Sequence, residues 1–141
     1  MVGIESYLDA NIFVYWLCKH PTFGEVARGW IKSVEEARKG KYATSTLTIY
    51  QTLVIIAGLT GRNLKDQRLV EEIIRSITDL AGLTIIPLTQ KDLTQAANLM
   101  KEYELDYEDA LHLSAALKSR AKEIISNDQD FDKTPLKRRF T

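Results

Sequence analysis

Four short runs rich in apolar and β-branched residues punctuate the chain, near positions 4–8, 42–45, 83–87 and 123–126. Between them the apolar positions recur at helical spacing. Strands alternating with helices argue for a parallel sheet covered on both faces. Right-handed crossovers then bring the C-terminal ends of the strands to one edge. The helical stretches follow from local signals. An apolar run at 12–17 is ended by Pro21. A helix over 23–39 turns Val26, Trp30, Ile31 and Val34 inward and stops at Gly40. A buried helix over 47–57 is stopped by Gly58 and Gly61. The next is capped by Asn63, carries Leu69, Val70, Ile73, Ile74 and Ile77 on its apolar face, and is closed by Gly82. Thr89 caps a helix running to about Tyr103 with Leu93, Ala96, Ala97 and Met100 inward. Asp106 caps the last, with a stripe of Ala110, Leu111, Leu113, Ser114, Ala116 and Leu117. The basic tail at 133–141 either adds a weak final strand or frays.

At 141 residues the chain is expected to form one domain spanning 1–141, with a core of its own. Lys and Arg number 19, as do Asp and Glu, so the formal net charge is zero. Binding to nucleic acid must then come from a local patch rather than from a global field. The single cysteine, Cys18, excludes an intrachain disulfide framework and a cysteine zinc site, and reads as a small buried hydrophobe. No signal peptide and no membrane-length apolar run is legible, which makes a cytoplasmic location the expectation.

The first strand ends on Asp9, and strand ends in open α/β folds face the crevice where ligands bind. Asp128 and Asp130 follow the fourth run, and Asp109 lies in the first turn of the last helix. If that helix starts at the same edge, the acids converge. Crowded carboxylates repel one another unless a cation sits among them. Hard cations such as Mg²⁺ take such oxygen ligands, and in that setting can polarise a phosphodiester and acidify a water. Asn11 could orient a carboxylate or a water, and Ser126 could hydrogen-bond a neighbouring acid. Plainer roles compete. Asp9 can simply end a strand, Asp109 can favour its helix dipole, and Asp128 and Asp130 can form a turn. Glu102, Glu104 and Glu108 read as a solvated helix face, and His112 as a packed or surface histidine. An EF-hand loop at Asp128-x-Asp130-x-Asp132 is rejected, because Lys133 replaces its glycine and Arg139 its closing glutamate. No glycine pair has the spacing of a phosphate-binding loop.

Three segments together resemble the PIN domains, and among them the VapC-type ribonuclease toxins. They are Tyr7-Leu8-Asp9-Ala10-Asn11, Asp109-Ala110-Leu111-His112-Leu113-Ser114-Ala115-Ala116 and Ser126-Asn127-Asp128-Gln129-Asp130-Phe131. The resemblance covers nearly the whole chain. It implies a three-layer α/β/α sandwich around a parallel sheet with strand order 3-2-1-4-5. It also implies a Mg²⁺- or Mn²⁺-dependent endoribonuclease, often a homodimer and often inhibited by a small antitoxin protein. Asp9, Asp109 and Asp128 match the family's catalytic, metal-binding acids, with Asp130 as a further ligand and Asn11, Gln51 and Ser126 as accessory residues.

Gln51 departs from that pattern, since the family usually carries a glutamate on the helix after the second strand. A glutamine offers a carbonyl oxygen but no charge. Weakened metal binding and slow cleavage are therefore expected, with Gln51→Glu tightening the one and speeding the other. Three readings stand side by side. The first is a ribonuclease, with RNA backbone contacts from Lys118, Arg120, Lys122 and the Lys137-Arg138-Arg139 run. The second is a PIN-like RNA- or protein-binding module without strong catalysis. The third is a haloacid-dehalogenase-type phosphotransferase with Asp9 as nucleophile, against which Asn11 stands where that class wants an aspartate. Phe13, Tyr15, Trp16 and Trp30 are more bulky apolar side chains than a small core obviously needs, which suggests a homodimer.

Overall fold

The computed structural model describes residues 3–141. Five short strands form one all-parallel sheet: β1 (Ser6–Leu8), β2 (Tyr42–Ser45), β3 (Leu83–Ile86), β4 (Glu123–Ile125) and β5 (Lys137–Arg139). Their order is β3-β2-β1-β4-β5, so β1 is the central strand. The register sets Tyr7 beside Ala43 on one side and Ile124 on the other.

Alternation along the strands splits the core in two. Leu8, Tyr42, Leu83 and Ile125 face a layer made by α1 (Ala10–Leu17), α2 (Gly24–Glu36), α4 (Gln67–Thr78) and most of α3 (Thr46–Thr60). Tyr7, Ala43 and Ile124 face α5 (Gln90–Tyr103) and α6 (Tyr107–Lys118). Helices thus cover both faces, and the α/β/α sandwich with strand order 3-2-1-4-5 is the observed fold. The tail does not fray. It forms β5 against β4, buries Phe140, and takes a hydrogen bond from the Trp30 indole to the Phe140 carbonyl at 2.6 Å.

Several local expectations are corrected. Helix α1 ends at Leu17, before Pro21, because Lys19 enters the left-handed region at φ 52°. Cys18 sits at that exposed helix end and is not buried. Helix α2 stops at Glu36, where Ala37 turns extended, short of Gly40. The α4 cap is Asp66, whose carboxylate accepts from the Leu69 N–H at 3.1 Å, while Asn63 only turns the chain onto the Lys65 N–H. Gly58 lies inside α3, which runs on to a left-handed cap at Gly61. Gly82 does not close α4; a side chain there would meet the Val34 carbonyl, to which the Gly82 N–H donates at 3.0 Å. On α5 the buried face is Asp92, Ala96 and Leu99, and Leu93 and Ala97 point outward. The α5 start is fixed by the Thr89–Asp92 capping box and by the Lys118–Asp92 pair at 3.0 Å, which draw Asp92 inward. Helix α3 is not buried all round: Tyr50, Val54, Ile55 and Leu59 are exposed. Phe13 is in the core, and Tyr15, Trp16 and Trp30 pack against it while remaining half-buried.

Candidate functional site

The sheet's C-terminal edge is built around Asp9. The Asp9 N–H donates to the Ile125 carbonyl at 3.0 Å, which ties the end of β1 to the end of β4. Asp9 then caps α1: Oδ1 accepts from the Ala10 N–H at 2.7 Å. Its other oxygen, Oδ2, accepts from Ser126 Oγ at 2.7 Å and from Asn11 Nδ2 at 3.3 Å. Ser126 Oγ in turn accepts from the Asp128 N–H at 2.9 Å. One hydroxyl therefore sets Asp9 and the start of the 3₁₀ turn Gln129–Lys133 relative to each other. Asp128 caps that turn by accepting from the Asp130 N–H at 2.9 Å.

Asp109 arrives from the other side. Asp106 caps α6, accepting from the Asp109 N–H at 2.8 Å, and so fixes the first turn on which Asp109 sits. Carboxylate oxygens of Asp109, Asp128 and Asp130 all lie within 4.8 Å of one another. Asp9 is outside that trio but shares a cleft of about 290 Å³ with Asp109, Asn11, Gln51, Glu108 and His112. Burial pushes the Asp109 carboxyl up to about 8, helped by the negative charges of Asp128, Asp106, Asp9 and Asp130 in that order.

Two residues that looked ordinary in the sequence turn out to line the cleft. His112 is fully buried, one turn after Asp109. Its Nδ1 lies 2.8 Å from the Tyr7 hydroxyl, which lies 2.8 Å from Ser45 Oγ. Its Nε2 is 2.6 Å from Gln51 Oε1 and 3.4 Å from Asp9 Oδ1. Burial lowers the His112 pKa, against the pull of Asp9, Glu108 and Asp106. A neutral ring has one hydrogen, and Gln51 is its nearer partner, so the Asp9 contact is not an ion pair. Burial likewise raises the Tyr7 pKa and keeps the phenol protonated. Glu108 accepts from Gln51 Nε2 at 2.7 Å. The sequence signal was helical spacing: His112 follows Asp109 by three positions, and Glu108 precedes His112 by four.

The basic residues divide. The Lys122 N–H donates to the Glu5 carbonyl at 2.9 Å, which places Arg120 and Lys122 at the opposite edge of the sheet from Asp9. Lys118 is held by Asp92 and the Pro87 carbonyl. Arg138 reaches the site's border, donating to the Ser126 carbonyl at 3.2 Å while paired with Asp132. Arg139 pairs with Glu123 and lies over the Trp30 ring. No helix among the described residues is long and apolar enough to cross a membrane.

No curated protein matches the chain. Solved structures share its fold, among them the following three. A toxin–antitoxin complex from Klebsiella pneumoniae is 21% identical, with a TM-score of 0.65, over 94% of this chain and 99% of that one. VapBC2 from Rickettsia felis, bound to a DNA fragment from its promoter, is 20% identical, with a TM-score of 0.66, over 96% and 98%. VapC20 from Mycobacterium tuberculosis, a toxin that cleaves the sarcin–ricin loop, is 14% identical, with a TM-score of 0.70, over 91% and 93%. The PIN domain family model matches residues 6–137, nearly the whole length, and the chain therefore belongs to the PIN domain family.

Proposed function

We propose that the chain is a Mg²⁺- or Mn²⁺-dependent endoribonuclease and the toxin of a toxin–antitoxin pair. The observation that carries this reading is the convergence of Asp109, Asp128 and Asp130 beside Asp9 at one sheet edge. The donor set fits a hard divalent cation: it is all oxygen, and the buried Asp109 carboxylate meets other carboxylates rather than hydrogen-bond donors. Asp9, Asp109, Asp128 and Asp130 would hold the ion. When bound, it supplies positive charge that polarises a phosphodiester and lowers the pKa of a water.

The chain's own residues do the rest. Ser126 holds Asp9 and the Asp128 backbone in fixed relation, and Asn11 steadies Asp9 Oδ2. His112, neutral and buried, supports the wall between Asp9 and Gln51. Hydrolysis would form a bond from the oxygen of a water to the phosphorus and break the bond to the 3′ oxygen, with a proton of that water ending on the 3′ oxygen. Among the basic residues read from the sequence, Arg138 borders the site through the Ser126 carbonyl and would meet an RNA backbone there. The likeness to a toxin that cleaves the sarcin–ricin loop, and to toxin–antitoxin complexes, supports a nuclease reading and an antitoxin partner. Homodimer formation belongs to the same reading. The exposed apolar side chains of α3 offer the surface for protein contacts that the aromatic residues of α1 and α2 do not.

Purified protein incubated with structured RNA should cleave it with Mn²⁺, stop with a chelator, and lose cleavage on Asp109→Asn. Retained RNA binding with no metal-dependent cleavage would move the chain to the non-catalytic module.

A further inference from the structure

The Gln51 side chain has a fixed polarity. Its Oε1 faces His112 Nε2 at 2.6 Å, and its Nε2 faces Glu108 Oε2 at 2.7 Å. Turning the amide over would set its oxygen against the Glu108 carboxylate, so the observed orientation is the one that the partners permit. The polarity continues inward. With Nε2–H donating to Gln51, His112 Nδ1 is left as an acceptor facing the Tyr7 hydroxyl at 2.8 Å, and that hydroxyl also lies 2.8 Å from Ser45 Oγ. The row Ser45–Tyr7–His112–Gln51–Glu108 thus runs from β2 and β1 in the core, through α6, to the rim of the cleft. Ser45, Tyr7 and His112 are all buried, so the inner end of the row is fixed. Glu108 is itself exposed, and its carboxylate is held at the rim by the Gln51 amide.

We infer that residues 51 and 108 work as one unit, in which Glu108 carries the negative charge at the cleft rim and Gln51 is the positioning residue that holds it there. The inference rests on the metal-dependent reading of the site. It gives Gln51 a reason beyond the absence of a charge. A carboxylate at position 51 could still accept from His112, but it could not donate to Glu108, and two like charges would face each other across 2.7 Å. The expectation that Gln51→Glu alone improves the site is therefore incomplete, because it omits Glu108. The charge belonging to this wall of the cleft is already present, on α6 rather than on α3.

An exchange of the two residues separates the unit from an ordinary surface glutamate. Glu108→Gln keeps a hydrogen-bond acceptor for Gln51 but removes the charge. The double change Gln51→Glu with Glu108→Gln returns the charge to the same wall and restores the polarity: the new carboxylate accepts from His112 and from the new amide. Mn²⁺ titration by calorimetry, with metal-free melting temperatures as a control for folding, reads the outcome. Glu108→Gln should weaken Mn²⁺ affinity about three- to tenfold, the effect expected of one partly screened charge near a divalent ion. The double variant should return to within about twofold of wild type, and Gln51→Ala should lose about as much as Glu108→Gln although it removes no charge. The inference is overturned if Glu108→Gln binds Mn²⁺ like wild type, if the exchange binds more tightly than wild type as an added charge would, or if it fails to restore affinity. Asp109→Asn serves as the separate control. Unchanged Mn²⁺ binding in that variant overturns the metal-dependent reading itself, whereas lost binding there with a silent Glu108→Gln overturns only the 51–108 unit.

Discussion

Asp9 and Asp109 face the same cleft and are buried almost equally, at 7% and 9% exposure, yet their surroundings are opposite. Both Asp9 oxygens accept hydrogen bonds, from the Ala10 N–H, Ser126 Oγ and Asn11 Nδ2. Among the described residues no donor reaches the Asp109 carboxylate, and the charges of Asp128, Asp106, Asp9 and Asp130 all oppose its ionisation. Equal exposure therefore has unequal consequences, because donors offset the burial of Asp9 and like charges add to that of Asp109. One half of the site is satisfied by the protein alone. The other is left with negative charge that a bound cation would relieve.

The largest expected effects come from the same chemical change made on each side. Asp9→Asn and Asp109→Asn should each lower RNA cleavage about a hundredfold or more. In metal-free stability they should differ in sign. Asp9→Asn turns an amide towards Ser126 and Asn11, which are donors, and should cost about 1–2 kcal/mol. Asp109→Asn removes a group that must either ionise against its neighbours or stay protonated, and should gain about 1–2 kcal/mol. Thermal unfolding with a chelator present tests the pair. Two changes of the same sign would break the contrast.

The pH dependence sharpens it. The Asp109 carboxyl has an ordinary value of 3.8 and is raised to about 8 in the fold. Between those values the folded state holds a proton that the unfolded chain has lost. The contribution is therefore fully present below pH about 4 and is lost as pH rises through about 8. At about 1.4 kcal/mol per pH unit over about four units, metal-free protein should lose on the order of 5 kcal/mol across that window from this group. Asp109→Asn should flatten the dependence, and Asp9→Asn should leave it in place with a smaller rise. Denaturant midpoints measured from pH 4 to 8 would show an unchanged slope in Asp109→Asn if another group were responsible.

The two halves also differed in how far the sequence revealed them. The sheet was legible because each strand is a short run between strongly periodic helices, and Asp9, Asp109 and Asp128 were legible because acids stood where strands end and a helix begins. Helix ends were less so. Gly82 reads as a stop, but its lack of a side chain serves a contact with Val34 more than 40 residues earlier in the chain. Leu93 reads as core, but Asp92 is the residue drawn inward, by Lys118 from another helix. The satisfied half of the cleft depends on such distant pairings: Asp9 meets Ser126 across 117 positions, and His112 meets Tyr7 across 105 and Gln51 across 61. Periodicity places these residues on elements but says nothing of their partners. Hence His112 read as merely packed and Glu108 as merely solvated.

Tyr7→Phe tests the satisfied half from its core side. It removes the hydroxyl between Ser45 Oγ and His112 Nδ1, both buried, and leaves both without that partner. A buried polar atom left unpaired costs about 1–3 kcal/mol, and the lower part of that range is expected because Ser45 can turn its hydroxyl elsewhere. Mn²⁺ affinity should change less than about twofold, since no charge moves. A large loss of affinity with little loss of stability would show that the row of hydrogen bonds governs the acids more directly than the contrast allows.

Asp130→Asn should have the smallest effect, and it tests whether the unsatisfied half is graded by burial. Asp130 belongs to the trio with Asp109 and Asp128, but its side chain is 53% exposed and Lys133 Nζ lies 3.5 Å from its Oδ1. Water and Lys133 already offset its charge, so its repulsion of Asp109 is the weakest of the four that act there. Removing that charge should change metal-free stability by less than about 0.5 kcal/mol. It should weaken Mn²⁺ binding about two- to fourfold, well short of the loss in Asp109→Asn. Loss as complete as that of Asp109→Asn would mean that Asp130 turns inward and sheds Lys133 when the ion binds. The unsatisfied half would then be a three-carboxylate cage assembled by the ion, not a buried acid with two outer neighbours.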